Sequence, residues 1–358
     1  MIKKSIFFRR FILLIIIILM GIVCSKDNYN HPKSVNPHIS GEAEALLDFL
    51  YQISGKYILS GHHNGIESPT KYSEEVKEMT GYYPVIWGSD FSFHFRGNNP
   101  DIMRQKMIDN AIEMYNKGHI ITLMWHCCFP SDGDSCRRES IWVWDDIVPQ
   151  AQWDSLTTPG TELNNQWRTQ ADHVAKYLKQ LQETKIPVLW RPYHEMNGVW
   201  FWWCQHPGEE GFAKLWKMMY DYFTNHHQLN NLIWVWNANA PRSIPGDEAY
   251  SYKDYFPGID YVDVLAADVY HNDYKQSHHD ELLELAQGKP ISLGEVGEMP
   301  TPVILDQQPH WVWFMGWANF LHKANKPDSV NALYNAQRTI TLNEIMKKQD
   351  GSYKVQVK

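Results

Sequence analysis

Eight short apolar runs recur along this chain, separated by longer amphipathic stretches, and that alternation restricts the fold more than any other feature. The runs are Tyr57 to Ser60, Pro84 to Trp87, His119 to Trp125, Ile186 to Trp190, Leu232 to Trp236, Val262 to Val269, Pro290 to Leu293 and Trp311 to Trp317. Each is continuously apolar, the pattern of parallel strands covered by helices. Between them, stretches such as Ile102 to Tyr115, Trp167 to Leu181 and Phe212 to Phe223 repeat apolar residues at helical spacing. Ser40 reads as the N-cap of a leading helix with Leu46, Leu47, Leu50 and Ile53 on one face. Strand and helix alternating over about 300 residues predict the α/β class, a single closed (β/α)8 TIM barrel with extended βα loops. An open doubly wound sheet is the competing topology. It needs a glycine-rich phosphate turn after the first strand, and Ser60-Gly61-His62-His63 does not supply one. The longest connection, about Cys127 to Asn165, carries Trp142, Trp144 and Trp153, and loops of that length are usually functional.

The N-terminus reads differently from the rest. Lys3, Lys4, Arg9 and Arg10 precede the run Phe11 to Met20, whose apolar character continues to Val23, as in an export signal. The run is short of the roughly 20 apolar residues that span a bilayer comfortably. Cys24 follows directly, then Ser25, Lys26 and Asp27, and the arrangement resembles a bacterial lipoprotein signal in which Cys24 carries the lipid. Gly21, Ile22 and Val23 depart from the usual residues before such a cysteine, so plain secretion and a retained anchor are the alternatives. The expected organisation is a signal peptide over 1–24, a flexible tether over 25–37 and the barrel over 38–358. The expected location is outside the cytoplasm, lipid-anchored to an outer membrane and facing the periplasm or the cell surface. Export to an oxidising compartment makes a disulfide feasible among Cys127, Cys128, Cys136 and Cys204. Cys127 or Cys128 could close a short loop with Cys136, but adjacent cysteines cannot both do so, and free buried thiols are equally open.

With 33 basic and 41 acidic residues the net charge is -8, and an acidic surface repels phosphate backbones, which excludes nucleic acid as a partner. Abundant aromatics, 16 of them Trp, suit ligands with flat apolar faces, although most such rings simply fill core. In a barrel, function gathers at the C-terminal ends of the strands. Read in order, those ends offer His62 and His63, Asp90, Trp125 and His126, Arg191 to Asn197, Asn237, Asp268 and Tyr270, Glu295, and Trp317. Barrel interiors are filled by branched apolar residues, so charged and aromatic groups collecting at one rim point to ligand chemistry. A lone Glu is usually a solvated surface group. Glu195 and Glu295, however, both follow apolar strands, the fourth and the seventh, and would project from opposing arcs into one cleft. Two carboxylates facing each other can cleave a glycosidic bond, one donating a proton to the leaving oxygen while the other attacks the anomeric carbon.

Around these residues the segments Arg191-Pro192-Tyr193-His194-Glu195-Met196-Asn197-Gly198-Val199-Trp200-Phe201-Trp202-Trp203 and Ile291-Ser292-Leu293-Gly294-Glu295-Val296-Gly297 resemble the family 26 glycoside hydrolases. Known members are mostly β-mannanases on a (β/α)8 barrel, and the resemblance extends over essentially the whole mature chain. It implies that Glu195 is the general acid/base and Glu295 the nucleophile. It further implies that His194 supports the acid/base and touches substrate, that Trp200 lies beneath the sugar, that Asp268 binds sugar, and that the Tyr270 hydroxyl holds the nucleophile. His126 and Trp317 match residues of the same pocket, while Ala318 stands where several relatives carry Arg. The implied activity is retaining hydrolysis of β-1,4-mannosidic linkages in mannans, glucomannans, galactomannans or manno-oligosaccharides by double displacement. The protein is expected to act as a monomer, without cofactor or metal.

The residues themselves support this at lower resolution. A tyrosine hydroxyl donating to Glu295 would lower its pKa, and desolvation of Glu195 would raise its own. Trp202 and Trp203 join Trp200 and Trp317 as stacking candidates, with Trp202 better suited to core or wall than to a platform, because adjacent aromatics cannot all face the cleft. Asn197 joins His126, His194 and Asp268 as a candidate for binding hydroxyls. Arg191 could orient a carboxylate through a bidentate pair, and Asn237 could support either glutamate. The 17 histidines include the adjacent pairs His62-His63, His226-His227 and His278-His279, which do not share the i, i+4 face of a zinc helix, and no His-Glu-x-x-His is present. Serine and cysteine nucleophiles lack support, since there is no G-x-S-x-G elbow and Cys204 has no evident oriented base. Two other functions compete. A relative cleaving β-glucan or xylan would be separated by product assays, and a non-catalytic glycan-binding lipoprotein by calorimetry showing binding without release of reducing sugar.

Overall fold

The structure is a computed structural model that describes residues 31–91, 99–144 and 146–356. The export signal, Cys24 and residues 25–30 of the expected tether lie outside the described residues.

Eight parallel strands close into a ring. They are β1 (Ile58–His63), β2 (Ile86–Asp90), β3 (Ile120–Trp125), β4 (Val188–Pro192), β5 (Leu232–Asn239), β6 (Val264–Val269), β7 (Ile291–Val296) and β8 (Trp311–Gly316). The order runs β2-β3-β4-β5-β6-β7-β8-β1, and a β1–β2 pairing completes the barrel. Every predicted apolar run overlaps a strand. Several strands extend further toward their C-terminal ends than apolarity indicated, so that His62, His63, Asp90, Asn237, Asn239 and Glu295 are themselves strand residues.

Helices α1 (Gly41–Ile53), α2 (Lys71–Thr80), α3 (Pro100–Asn116), α4 (Gln150–Thr157), α5 (Glu162–Glu183), α6 (Phe212–Asp221), α7 (Gln276–Ala286), α8 (Pro302–Gln307), α9 (Phe320–Lys323) and α10 (Pro327–Tyr334) accompany the strands. Their starts carry capping chemistry. Ser40 accepts from the Ala43 amide, Asn99 accepts from Asp101 and Ile102 ahead of Pro100, and Thr161 accepts from Asn164.

Alternation along the strands divides the apolar residues between two cores. Leu59, Ile120, Leu189, Ile233, Val264 and Val312 share one cluster with Leu46, Leu47, Leu50 and Ile53, so α1 is packed into the same core as the barrel interior. Their strand neighbours Ile58, Ile121, Trp190, Trp234, Leu265 and Trp311 belong to the other cluster, beneath the helical layer. Burying each of those α1 side chains stabilises the fold by roughly 1.5–3 kcal/mol.

The folded body begins earlier than residue 38. The Val35 amide donates to Asp263 at 2.8 Å, the Tyr220 hydroxyl donates to the Val35 carbonyl at 2.5 Å, and Asn36 is buried. The tether expected through residue 37 is therefore in contact with the barrel from Val35 onward. Its anchor Asp263 directly precedes β6, at the barrel end opposite the strand C-termini.

The long connection after β3 is held at two points. A disulfide joins Cys128 to Cys136, and Asp134 accepts from both terminal nitrogens of Arg104 at 3.0 and 3.2 Å. Cys127 and Cys204 are buried free thiols.

Candidate active site

The strand C-termini converge on a cleft of about 470 Å3 whose walls include Glu195, Glu295, His126, His194, Trp200, Tyr270 and Trp317. Of the residues that the family resemblance implicated, Asp268 alone does not line it. An oxygen of Glu195, one of Glu295 and one of Asp268 all lie within 4.8 Å of one another.

Glu195 sits in a tight turn just past β4, with φ at +55° and Tyr193 before it at +49°. The left-handed region costs a non-glycine residue about 1–3 kcal/mol and persists only where surroundings over-determine it. They do so here: the Glu195 amide donates to the Asn237 carbonyl at 2.8 Å, and the Glu195 carbonyl accepts from the Gly198 amide at 2.9 Å. The turn thereby pins the general-acid candidate onto β5. Its carboxyl accepts from the Trp200 indole at 2.8 Å and from the Asn239 side-chain amide at 2.5 Å. Burial, and then the charge of Glu295, push its pKa up to about 7, against the opposing influence of Arg242, Asn239 and Trp200.

Glu295 is an integral residue of β7, paired with Asp268 of β6 after a shift in register. The Tyr270 hydroxyl donates to its Oε2 at 3.0 Å and Arg191 to its Oε1 at 3.4 Å, while His194 Nε2 stands 3.8 Å from Oε1. Burial raises its pKa; Arg191, His126 and Tyr270 pull the other way. The lowering effect expected of Tyr270 is thus present but outweighed by desolvation. Arg191 offers one nitrogen to Glu295 and uses the same nitrogen on Asn237 at 2.7 Å, so the bidentate pairing expected of it is not formed.

His126 joins Asp90 at 2.7 Å, its ring stacks on Trp142 at 5.2 Å, and it meets His194 edge to face at 4.6 Å. Burial opposes charge on this imidazole, but the Asp90 carboxylate prevails and its pKa is raised. The pKa of His194 is driven well below the usual histidine value by burial, and then by His126, Arg191 and His63. Trp317 is seated on His63, with ring centres 4.2 Å apart.

Three expectations are corrected by position. Asp268 is completely buried and does not line the cleft, although one of its oxygens lies within 4.8 Å of those of Glu195 and Glu295; burial, then Glu295 and Glu195, raise its pKa well above the usual carboxylate value. Asn197 is likewise buried, with its side chain bonded to the backbone of Asn239 and Tyr250, and is a turn-forming residue. Trp203 points into the core, donating to the His194 carbonyl, and Trp202 is buried there as its core-or-wall reading expected, donating to the Cys127 carbonyl. Of the four tryptophans considered, Trp200 and Trp317 line the cleft.

The structure adds Asn239, Arg242 and Trp142 to the site. The Arg242 guanidinium lies 5.2 Å over the Trp200 ring and pairs with Asp247 at 2.6 Å. Asn239 had a legible signal, since it lies two residues beyond Asn237 and shares its side of the strand; the apolar run that defined β5 simply ended before it.

Comparison with known proteins follows the same direction. Residues 35–344 match the sequence profile of glycosyl hydrolase family 26. The chain is 32% identical over 326 residues to a mannan endo-1,4-beta-mannosidase of Thermothelomyces thermophilus, covering 88% of this chain and 64% of that protein. A mannan endo-1,4-beta-mannosidase of Bacillus subtilis is 28% identical over 360 residues, covering 93% and 95%. Among solved structures, GH26A from a Muricauda species is 50% identical with a TM-score of 0.82, covering 87% of this chain and 99% of that one. A beta-mannanase from a symbiotic protist of the termite Reticulitermes speratus, solved with a gluco-manno-oligosaccharide, is 29% identical with a TM-score of 0.73, covering 87% and 96%. The chain spans between 46% and 64% of the length of the first three curated relatives it matches.

Proposed function

Because this chain belongs to glycosyl hydrolase family 26, we propose that it hydrolyses β-1,4-mannosidic linkages with retention of anomeric configuration. The observation that carries this reading is the approach of Glu195 and Glu295 oxygens to within 4.8 Å across the cleft. Separations near 5 Å suit a covalent intermediate, whereas inverting enzymes need roughly 6.5–9.5 Å to admit a water.

In the first step Glu195, protonated because burial and Glu295 disfavour its anion, gives its proton to the glycosidic oxygen. Glu295 attacks the anomeric carbon as that carbon–oxygen bond breaks, and the leaving sugar departs as a neutral alcohol. Glu195 is then a carboxylate and takes a proton from water, which displaces Glu295 and releases the sugar. Tyr270 and Arg191 hold the nucleophile through the cycle, the Trp200 indole and Asn239 orient the acid/base, and Trp200 and Trp317 give the apolar sugar faces their platforms. The substrates are mannans, glucomannans, galactomannans or their oligosaccharides.

The test is to compare products from mannan, β-glucan and xylan, and to follow the newly formed anomer by NMR. Retained β-configuration from mannan supports the proposal; inverted products, or faster turnover of glucan or xylan, would overturn it. Labelling with a 2-deoxy-2-fluoro-mannosyl donor should esterify Glu295.

The export reading belongs here too. The basic residues, apolar run and Cys24 at the N-terminus support an exported protein lipid-anchored at Cys24 to the outer membrane. Mass spectrometry of the native N-terminus tests it, and an unmodified chain starting beyond Cys24 would refute it.

A further inference from the structure

The histidine pair His226-His227 lacks the helical spacing of a zinc motif, yet the fold brings it to a third ligand. A five-residue π-helical turn, Tyr222–His226, continues α6 and ends at this pair. Such turns rotate successive side chains away from ordinary helical positions and frequently mark functional sites. Here the two imidazoles stand edge to face, 4.9 Å apart at 84°, and one ring nitrogen of each lies within 4.8 Å of a carboxylate oxygen of Asp172 on α5.

We propose that Asp172, His226 and His227 form a divalent-metal site of zinc type, separate from the cleft. Two imidazoles and one carboxylate are a donor set that zinc accepts, with a fourth position left to water. His227 Nε2 already meets Asp172 Oδ1 at 2.8 Å, in hydrogen-bond contact. Ligand bonds of about 2.0–2.1 Å place ligand atoms roughly 3.4 Å apart, so this pair would open slightly while His226, within 4.8 Å of both, turns toward the ion. His226 is exposed, with its ring stacked on Tyr222 at 4.7 Å, and it would slide along that ring to reach the ion. The carboxylate is already oriented: the Tyr222 hydroxyl donates to Asp172 Oδ1 at 2.7 Å, and the Arg168 guanidinium covers the Tyr222 ring at 5.0 Å. Outer contacts of this kind set ligand geometry in metal sites. Solvent reaches all three ligands, so an ion can enter.

Placement determines what the ion would do. His227 precedes β5 by only a few residues, near the N-terminal end of that strand and away from the cleft. Residues at that end of a barrel serve stability rather than chemistry. The ion would tie α5 to the turn leading into β5 and leave turnover unchanged.

The experiment titrates Zn2+ into the EDTA-treated, dialysed protein by calorimetry and records thermal melting with and without zinc. One ion should bind per chain and raise the melting temperature. The double variant His226→Ala/His227→Ala should lose both effects while keeping wild-type kcat on mannan, which also shows that it folds. Tyr222→Phe should weaken binding about 10-fold. Undiminished zinc binding in the double variant, or absence of binding by the wild type at micromolar zinc, would overturn the proposal. So would loss of binding in Glu195→Gln instead, because that would place the ion among Glu195, Asp268 and Glu295.

Discussion

Glu195 and Glu295 are both buried but differently accompanied, and this difference suits the first to the proposed role of acid and the second to that of nucleophile. Cation and hydroxyl converge on Glu295, whereas Glu195 faces the anion opposite it and is pushed up to about 7. Activity should follow a bell whose alkaline limb falls as Glu195 loses its proton near pH 7, and whose acid limb falls as Glu295 gains one; the two limbs are constants of the pair. Arg242 lowers the Glu195 pKa, so Arg242→Met should move the alkaline limb to higher pH in kcat/KM profiles, together with some loss of sugar affinity through Trp200. Glu195→Ala should reduce hydrolysis of mannan by about 10^2–10^4-fold, less for aryl mannosides with good leaving groups, and azide should restore part of the second step. Both glutamates and most of their partners were legible because strand ends and charge are written locally. Asp268 was placed at the rim by the same local reading, whereas its complete burial opposite Glu295 is recorded by no local pattern. Asn197 was misread similarly, its amide being consumed by backbone groups distant in the chain.

At the scale of elements, the strand that carries Glu295 works only if its neighbours approach closely. A Cβ on Gly294 would lie 2.0 Å from the Asn237 side-chain oxygen. That oxygen receives Arg191, and the same residue's carbonyl receives the Glu195 amide. Gly294→Ala should therefore disarm both carboxylates without altering either, lowering kcat by at least about 10-fold with the fold retained by circular dichroism, since small misplacements of catalytic groups are costly. The loop after β3 supplies Trp142, which covers His126, and the Cys128–Cys136 disulfide closes the segment before it. Replacing both cysteines by serine should raise KM for manno-oligosaccharides more than it lowers kcat. Sequence offered Cys127 or Cys128 as a partner for Cys136 and left free thiols equally open. The choice of Cys128 follows from tertiary packing, which turns the Cys127 thiol toward Gln170.

For the whole molecule, the barrel was legible because eight continuous apolar runs can be buried on both faces in few other ways. Its lower boundary was not, because residues 32–38 are polar and Pro-containing and owe their order to partners distant in sequence, among them the buried acid Asp263, Tyr220 and Leu229. A protein beginning at Lys33 should melt like the longer chain. One lacking residues through Asn36 should lose about 1–3 kcal/mol in urea unfolding, because the Asp263 carboxylate then forfeits the Val35 donor while remaining buried. The position of Val35 has a further effect. The backbone joins the barrel on its floor, whereas the cleft opens at the roof. A polymer much longer than the protein could therefore drape across the open face without meeting the segment around Val35 that enters from below.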